Sequence, residues 1–349
     1  MKKIVAKRKY KYPMGLEREY AKQIAGLVDG MFSTIKKQVP DMVKLIKANQ
    51  IKLDAEDPND ALDDFMEALA SSLLLRQKAE QYVRRMWEKV NKYTDKEIRE
   101  IFMAIFGASA SLRGLRAEWT REQIIREMSE EAERYNVELT KEEMVAIGGG
   151  ILLSSMLSAS EKKRKAIESI LKNRPAGADI IASNEAELAI KAQQKLKLLE
   201  DIWIRENLDL IGSLEAETLR KLRDEMTRMM TTDGVIIQED LIAFLEKQLE
   251  VETNRAVLIG SDQVGKLNGN LMQYYQQSAG IEEYRWQTMQ DSRVRPRHRA
   301  RQGKIFRWDE PPEDGHPGEA IRCRCVADPV IAIDNYGVNP KANSYIYVD

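Results

Sequence analysis

The chain has 349 residues, of which 43% are hydrophobic and 32% are charged, so it can bury a sizeable core in roughly two or three domains. Its 55 lysines and arginines nearly balance 56 aspartates and glutamates, which excludes a global attraction to nucleic acid or to an anionic membrane. The apolar runs are shorter than the ~20 residues that span a bilayer, and two cysteines cannot supply the disulfide framework of a secreted domain. We expect a soluble protein made in the cytosol.

The chain begins with a basic segment, which we predict to be an N-terminal arm over residues 1–15. This segment has no acidic residue before Pro13, and it lacks the apolar stretch that follows the charges of a signal peptide. Its basic residues are Lys2, Lys3, Lys7, Arg8, Lys9 and Lys11. We expect this arm to be solvated.

Apolar residues recur at helical spacing from about residue 16 to residue 250. This periodicity predicts a helical body over residues 16–195 and a helical lead-in to the next segment over residues 196–279. Capping boxes, in which a hydroxyl and a carboxylate or amide satisfy the first free backbone N–H groups, predict three helix starts. They pair Thr94 with Glu97, Thr120 with Gln123 and Thr140 with Glu143.

Two breaks and one apolar stripe organise this helical body. Turn-forming residues concentrate at 54–60 and 173–179, which predicts that helices end there. Between residues 61 and 106 an apolar stripe at helical spacing predicts two helices that pack into a core, rather than a groove for a partner. The triple glycine at 148–150 lacks the Lys-Ser/Thr of a phosphate-binding loop, so we expect a hinge or a close helix crossing there.

After about Gly280 the pattern changes, because prolines, glycines and short alternating segments replace helical periodicity. Short strands are predicted at 285–289, 304–308 and 326–333. We therefore expect a mainly α protein, in which an extended helical body is followed by a small, loop-rich α+β module over residues 280–335. Residues 336–349 would form a C-terminal tail.

The only two histidines and the only two cysteines of the chain lie within 28 residues of one another. These residues are His298, His316, Cys323 and Cys325. Two imidazoles and two thiolates form a ligand set for tetrahedral zinc, which would stabilise a module with little core of its own. The alternative is that the histidines hydrogen-bond to the backbone and the cysteines pack as small residues. A disulfide between the two cysteines would close a strained ring and is disfavoured.

A basic patch lies in the same module. Eight lysines and arginines face a single acid, Asp291, between Arg285 and Arg307. The candidate binding residues are Arg293, Arg295, Arg297, Arg299 and Arg301. One interpretation is contact with DNA phosphates or an acidic partner surface, and the other is an internal ion-pair network with the acids that follow at 309–319.

The landmarks of this module resemble one known family. The run W-x-T…D-x-R-V-R-x-x-H…G…C-R-C is met by Trp286, Thr288, Asp291, Arg293, Arg295, His298, Gly303, Gly318, Cys323 and Cys325. This order resembles the phage Mu F-like domain of head morphogenesis proteins. A weaker likeness extends upstream to Asn207, Gly234, Asn254 and Gln263, and nothing before about residue 195 is familiar. In this pattern Trp286, Thr288, Asp291, Gly303 and Gly318 are structural landmarks.

The resemblance implies a virion component present in few copies at the portal vertex and capsid interior, assembled in the host cytoplasm. It would act in head morphogenesis. Its partners would be the portal protein, other head proteins and packaged DNA, and it would not bind a membrane. No catalytic residue follows from the resemblance, so an enzyme is not expected. The alternatives are a zinc-dependent nucleic-acid-processing enzyme that uses Asp291 and His298, and a toxin-delivery protein that uses the module.

Overall fold

The computed structural model describes residues 2–51, 58–106, 179–333 and 343–348, with isolated residues between 129 and 167. Long helices and one small antiparallel sheet make up these ranges. The helices are α1 (Met14–Ile51), α2 (Pro58–Leu73), α3 (Leu75–Phe106), α4 (Asp179–Thr232) and α5 (Gln238–Ser278). The predicted fold class, mainly α with a small α+β module, is confirmed.

These five helices share one apolar core. Each contributes a buried face at helical spacing, for example Ile24, Phe32 and Ile35 from α1, Leu69 from α2, Val83 and Val90 from α3, Ile211 and Leu214 from α4, and Leu241 and Leu267 from α5. α1 and α5 approach closely at Gly260, where a Cβ would come within 2.6 Å of the Ala21 Cα. The helix pair predicted from the stripe at 61–106 is confirmed by α2 and α3.

The predicted breaks overlap the observed helix ends. α1 ends at Ile51 and α2 begins at Pro58, so the break at 54–60 overlaps their junction. Proline suits the first position of a helix because its missing N–H would have no partner there. α4 begins at Asp179, the last residue of the second predicted break.

The helix start predicted at Thr94 is wrong. Thr94 lies inside α3 and is fully buried, and its hydroxyl donates a hydrogen bond to Asn268 Oδ1 of α5 at 3.2 Å. Glu97 pairs with Arg8 instead of a helix terminus. The pattern was misleading because both side chains have partners far away in the sequence. The starts predicted at 120–123 and 140–143 and the glycines at 148–150 fall, Thr140 aside, outside the described residues.

A buried polar network joins α1, α4 and α5. Asn207 donates to Gln263 Oε1 at 3.0 Å and accepts from the Tyr20 hydroxyl at 3.0 Å. The indole N–H of Trp203 donates to the carbonyl of Gln263 at 3.1 Å. Asn207 and Gln263 are upstream landmarks of the resemblance, and their direct contact gives them a structural role in this crossing.

The sheet has five strands in the order β3-β2-β4-β1-β5, and every pair is antiparallel. The strands are β1 (Lys3–Ala6), β2 (Glu283–Gln287), β3 (Ile305–Arg307), β4 (Val326–Ala332) and β5 (Tyr345–Val348). The three strands predicted in the module are confirmed as β2, β3 and β4, with ends shifted by at most two residues.

The N-terminal segment is not a solvated arm in its strand residues. Ile4 and Val5 are fully buried in β1, which lies between β4 and β5. Lys3 pairs with Glu283, and Arg8 pairs with Glu97 and Glu100. The prediction failed because the apolar Ile-Val-Ala run is only long enough for a strand, and the surrounding charges concealed it.

The sheet forms a second core with the ends of two helices. Tyr284 and Trp286 of β2 and Ile4 of β1 pack with Phe102 of α3 and Met272 of α5. The module therefore includes β1 and β5, which lie outside residues 280–335, and the proposed boundary at 195 falls within α4. No helix of the described ranges is long and apolar enough to cross a membrane.

Candidate metal centre

One face of α5 supports the loop that contains both cysteines. An added Cβ at Gly269 would lie 2.4 Å from the Pro317 carbonyl oxygen, and one at Gly265 would lie 3.0 Å from the Cys323 carbonyl oxygen. Asp262 accepts a hydrogen bond from the backbone N–H of Arg322 at 2.8 Å. Small residues therefore let the loop lie directly on the helix, and a carboxylate fixes its register.

Three of the four predicted ligands converge. His298, in the single helical turn α6 (Pro296–Arg299), and Cys323 and Cys325, just before β4, have ligand atoms that all lie within 4.8 Å of one another. The Nδ1 of His298 is 3.6 Å from the sulfur of Cys323 and 3.5 Å from that of Cys325. Tetrahedral zinc with ordinary Zn–S and Zn–N bonds separates such N and S atoms by about 3.6 Å. The residues therefore fit a zinc ion.

The orientation of His298 also fits metal ligation. Its Nε2 is 2.8 Å from Asp314 Oδ2, so Nδ1 faces the two sulfurs and would offer its lone pair to a metal ion between them. Burial would raise the pKa of Asp314, but hydrogen bonds from Arg301 and His298 lower it to about 2. An ionised carboxylate behind a metal-bound imidazole fixes its tautomer and increases its basicity.

The setting of the two sulfurs favours a single negative charge, on Cys323. Both cysteines are buried and free of a disulfide, and the backbone N–H of Gly318 lies 3.5 Å from the Cys323 sulfur. Hydrogen bonds with Cys325 and with His298 lower the pKa of the Cys323 thiol. The Cys323 sulfur and burial raise the pKa of Cys325, because a second thiolate would be repelled by the first. A divalent cation between the sulfurs would remove this repulsion.

His316 lies outside this group. Its Nδ1 and the Tyr284 hydroxyl are hydrogen-bonded at 2.8 Å, and its ring packs 5.0 Å from that of Trp308. Burial lowers the pKa of His316, so the ring is held neutral among aromatic side chains. The structure thus gives His298 the setting of a ligand, whereas His316 is bound to a tyrosine hydroxyl away from the two sulfurs.

Two of the five candidate arginines pair with the carboxylate of Asp314. Arg301 pairs with Asp314 and lies 5.0 Å above the ring of Trp286. Arg297 Nε is 2.8 Å from the same carboxylate. Both side chains hold Asp314 against His298, so they position the candidate ligand and have less freedom to meet a phosphate.

The other three candidate arginines do not contact Asp314, and two of them, Arg293 and Arg299, are exposed. Arg293 lies 3.9 Å from Asp291, with 64% of its side chain exposed. Arg299 donates to the Asp291 carbonyl at 3.4 Å, and Arg295 donates to the Ile321 carbonyl at 2.6 Å. The basic patch is therefore divided between two arginines that pair with Asp314 and three that do not.

The remaining landmarks hold the chain around the centre. Trp286 packs edge to face on His298 at 5.3 Å. The Thr288 backbone N–H and hydroxyl both donate to Gln302 at 2.7 Å. Gly303 has a φ of +78°, and its N–H donates to the Trp286 carbonyl at 2.8 Å. These landmarks therefore make contacts that hold the chain around His298.

Asp291 connects the two ends of the motif. It accepts a hydrogen bond at 2.8 Å from Arg324, the central residue of the C-R-C sequence. This contact holds Asp291 in an ion pair and lowers its pKa.

Gly318, with a φ of +100°, would place a Cβ 3.0 Å from Gly269 Cα, so its lack of a side chain allows the loop to contact α5.

A cavity of about 260 Å³ opens beside the centre and is bordered by His298, Cys323 and Cys325. The rest of its wall consists mainly of arginines and a single acid. These residues are Arg293, Arg295, Arg322, Arg324 and Glu17. The three candidate ligands are therefore accessible from one side, although each is almost completely buried.

Several residues that position the centre were missed from the sequence. A signal existed for Asp314, because a metal-bound histidine needs an acceptor on its second nitrogen and this acid lies in the stretch after the arginines. Asp262, Gly265 and Gly269 offered no local signal. Their role depends on a contact between α5 and a loop that is distant in the sequence.

Comparison with known proteins agrees with these landmarks. A family model described as Phage Mu protein F like protein matches residues 218–328. An uncharacterized protein of Haemophilus influenzae (strain Rd) is 35% identical over 126 residues, which are 36% of this chain, and the chain covers only 28% of that relative's length. No solved structure matches the chain. Residues 218–328 of this chain therefore match the phage Mu protein F-like family, which their motifs resemble.

Proposed function

We propose that this protein is a bacteriophage minor head protein that lies at the portal vertex, inside the capsid, and acts in head morphogenesis and in DNA packaging or ejection. The observation that supports this role is the family match over residues 218–328, because the family is one of phage head proteins. Five long helices around one core would provide an extended surface for the portal and other head proteins.

The abundance and position of the protein in virions test this role. Quantitative mass spectrometry of purified particles should find a few copies per virion, together with cross-links to the portal protein. A chain that is absent from purified virions would contradict the proposal. Cross-links only to the outer capsid surface would contradict the internal position but not the virion role.

The proposal includes one zinc ion held by His298, Cys323 and Cys325. Its support is the pair of 3.5 and 3.6 Å distances from nitrogen to sulfur, together with the Asp314 carboxylate behind the imidazole. The ion would supply folding energy by joining α6 to the segment before β4. No step of a reaction is assigned to it.

Elemental analysis of protein purified without chelator should find about one zinc per chain. The double variant Cys323→Ser and Cys325→Ser should lose it, and hydrogen exchange should accelerate in β2 to β4 while α1 keeps its protection. Zinc-free protein that stays zinc-free after the metal is supplied would contradict this part of the proposal.

A role in DNA contact is proposed for Arg293, Arg295 and Arg299, which do not pair with Asp314 as Arg301 does. Phosphate contacts release counterions, so affinity should fall steeply as the salt concentration rises. Replacing Arg293 and Arg299 with glutamine should reduce both the affinity for duplex DNA and its salt dependence. Binding that is absent, or that salt does not change, would contradict this role.

A further inference from the structure

We propose that the metal in this centre keeps one coordination position open to the adjoining cavity, and that this position binds an oxyanion of the phosphate class. The inference rests on the zinc of the proposed function and goes beyond it, because it changes a closed structural site into one that exchanges a ligand.

The number of protein ligands around the metal leaves room for one more. Tetrahedral zinc takes four, and structural sites normally obtain all four from the protein. Within the described residues, the group of histidine, cysteine and acidic side chains at this place contains only His298, Cys323 and Cys325. His316, the fourth ligand expected from the sequence, is bound to Tyr284 instead. Three protein ligands and one open position are typical of zinc sites that bind an exogenous molecule.

A fourth ligand can reach the metal from the side of the cavity. All three ligand residues border the same cavity, whereas the second nitrogen of His298 is turned away toward Asp314. Trp286 covers the imidazole ring from another side. A fourth ligand can therefore reach the ion through the cavity. The volume of the cavity, about 260 Å³, lies just below the ~300 Å³ at which drug-sized pockets begin. The cavity therefore suits a small ion or the end of a larger molecule.

The charges of the metal centre and of the cavity wall favour an anion. Two thiolates neutralise a divalent zinc, so the ion with its three ligands would not repel an anion. Four arginines line the cavity against one acid, Glu17. Arg324 is already bound to Asp291 and Arg295 to a carbonyl, but the side chain of Arg293 is largely exposed and Arg322 is also exposed. Guanidinium groups match the oxygens of phosphate in shape and charge.

Two sources of this phosphate chemistry are relevant to a head protein. One is free inorganic phosphate, and the other is the phosphorylated end of a DNA strand. Both present the same oxygens to the metal and to Arg293 and Arg322, so the experiment must separate them.

The test uses the full chain with Co²⁺ in place of Zn²⁺, because the visible d–d bands of cobalt report its ligands. Inorganic phosphate should change these bands in a saturable way. A 5′-phosphorylated oligonucleotide and the same oligonucleotide with a 5′-hydroxyl are the other two probes. A response to the phosphorylated strand assigns the site to DNA ends, and a response to inorganic phosphate alone assigns it to the free ion.

Matched variants test the role of the arginines. Arg293→Gln combined with Arg322→Gln should weaken phosphate binding about tenfold or more, since hydrogen bonds to charged groups are lost. Arg307→Gln, which alters a surface pair with Asp309 outside the cavity wall, should leave the affinity unchanged. Equal weakening in both variants would overturn the assignment to the cavity.

The two proposals can fail separately. Stoichiometric cobalt with bands that do not respond to any of the three probes would overturn the open position and leave the zinc centre intact. A chain that binds neither cobalt nor zinc would overturn both. Equilibrium dialysis with labelled phosphate provides an independent check, because the zinc-loaded chain should bind about one phosphate and the metal-free chain none.

Discussion

The helical body and the sheet module of this protein are held together in different ways. The body buries apolar faces of α1 to α5 in one core, and most of its contacts follow from helical spacing. The module has a smaller core, in which strands from both ends of the chain surround buried polar groups such as His298, His316 and Asp328. Helices that follow from periodicity can be predicted from the local sequence. The pairing of strands that are distant in the sequence cannot.

The two regions meet along α5. Its first part packs in the helical core through Leu241 and Leu245, and its later part supports the cysteine loop through Gly265 and Gly269. Changes in the module should therefore leave most of the body folded, unless they act on this shared helix. The following variants test that separation.

The largest expected effect comes from Ile4→Asp, which places a charge in the middle of the sheet. Ile4 is fully buried and opposite Ile331 and Tyr347, so the module should lose about 4 kcal/mol or more. Hydrogen exchange should accelerate in β2 and β4 while α1 remains protected. Lys7→Asp, at an exposed position of the same segment, is the control. Full protection of β4 in the Ile4 variant would show that the N-terminal strand is not integral to the module.

A smaller effect is expected where the two regions meet. Gly269→Ala would place a methyl group 2.4 Å from the Pro317 carbonyl oxygen, and such overpacking costs about 1–3 kcal/mol. Gly30→Ala in α1 meets nothing within 4 Å and should gain up to about 1 kcal/mol from helix propensity. Chemical denaturation of both variants gives the comparison. Equal stability would contradict the close contact between α5 and the loop.

Asp314→Asn should affect the centre more than the fold. Loss of a carboxylate behind a metal-bound histidine lowers metal affinity about 10- to 100-fold, which competition with a chromogenic chelator measures. Asp309→Asn, in an exposed pair with Arg307, should not change the affinity. If the Asp314 variant binds zinc as tightly as the wild type, Asp314 does not act through His298.

The smallest effect concerns the pH dependence of stability. Burial lowers the pKa of His316, so between its folded and unfolded pKa values the unfolded chain binds the extra proton. This contribution to stability is complete above the unfolded value of about 6.5 and is lost as the pH falls through the folded value. His316→Asn should therefore lose less stability than the wild type between about pH 7 and pH 5 in urea titrations. Identical losses would show that His316 is not held neutral.

The contrast between the regions also explains what the sequence could predict. Helical spacing predicted the pair α2 and α3, and alternating residues predicted β2, β3 and β4. Thr94 was misread as a helix start because its local pattern is that of a capping box, while its hydroxyl bonds to Asn268. The strand at Lys3–Ala6 was missed because its partners, Val330 to Ala332 and Tyr345 to Val348, lie at the opposite end of the chain.

The candidate site shows the same division. Histidine and cysteine are scarce in this chain, and their clustering in one short segment identified the three residues that converge. It did not separate His298 from His316, because that difference depends on which ring faces the sulfurs and which faces Tyr284. The division of the arginines likewise depends on Asp314, which holds Arg297 and Arg301.

The zinc content of two matched variants shows which histidine holds the metal. His298→Asn and His316→Asn each remove one imidazole from the same module, and both can be purified without chelator and analysed for metal beside the wild type. We predict that the His316 variant retains about one zinc per chain and that the His298 variant loses its zinc to a competing chelator. Equal loss of zinc in the two variants, or retention in the His298 variant, would contradict a centre built on His298, Cys323 and Cys325.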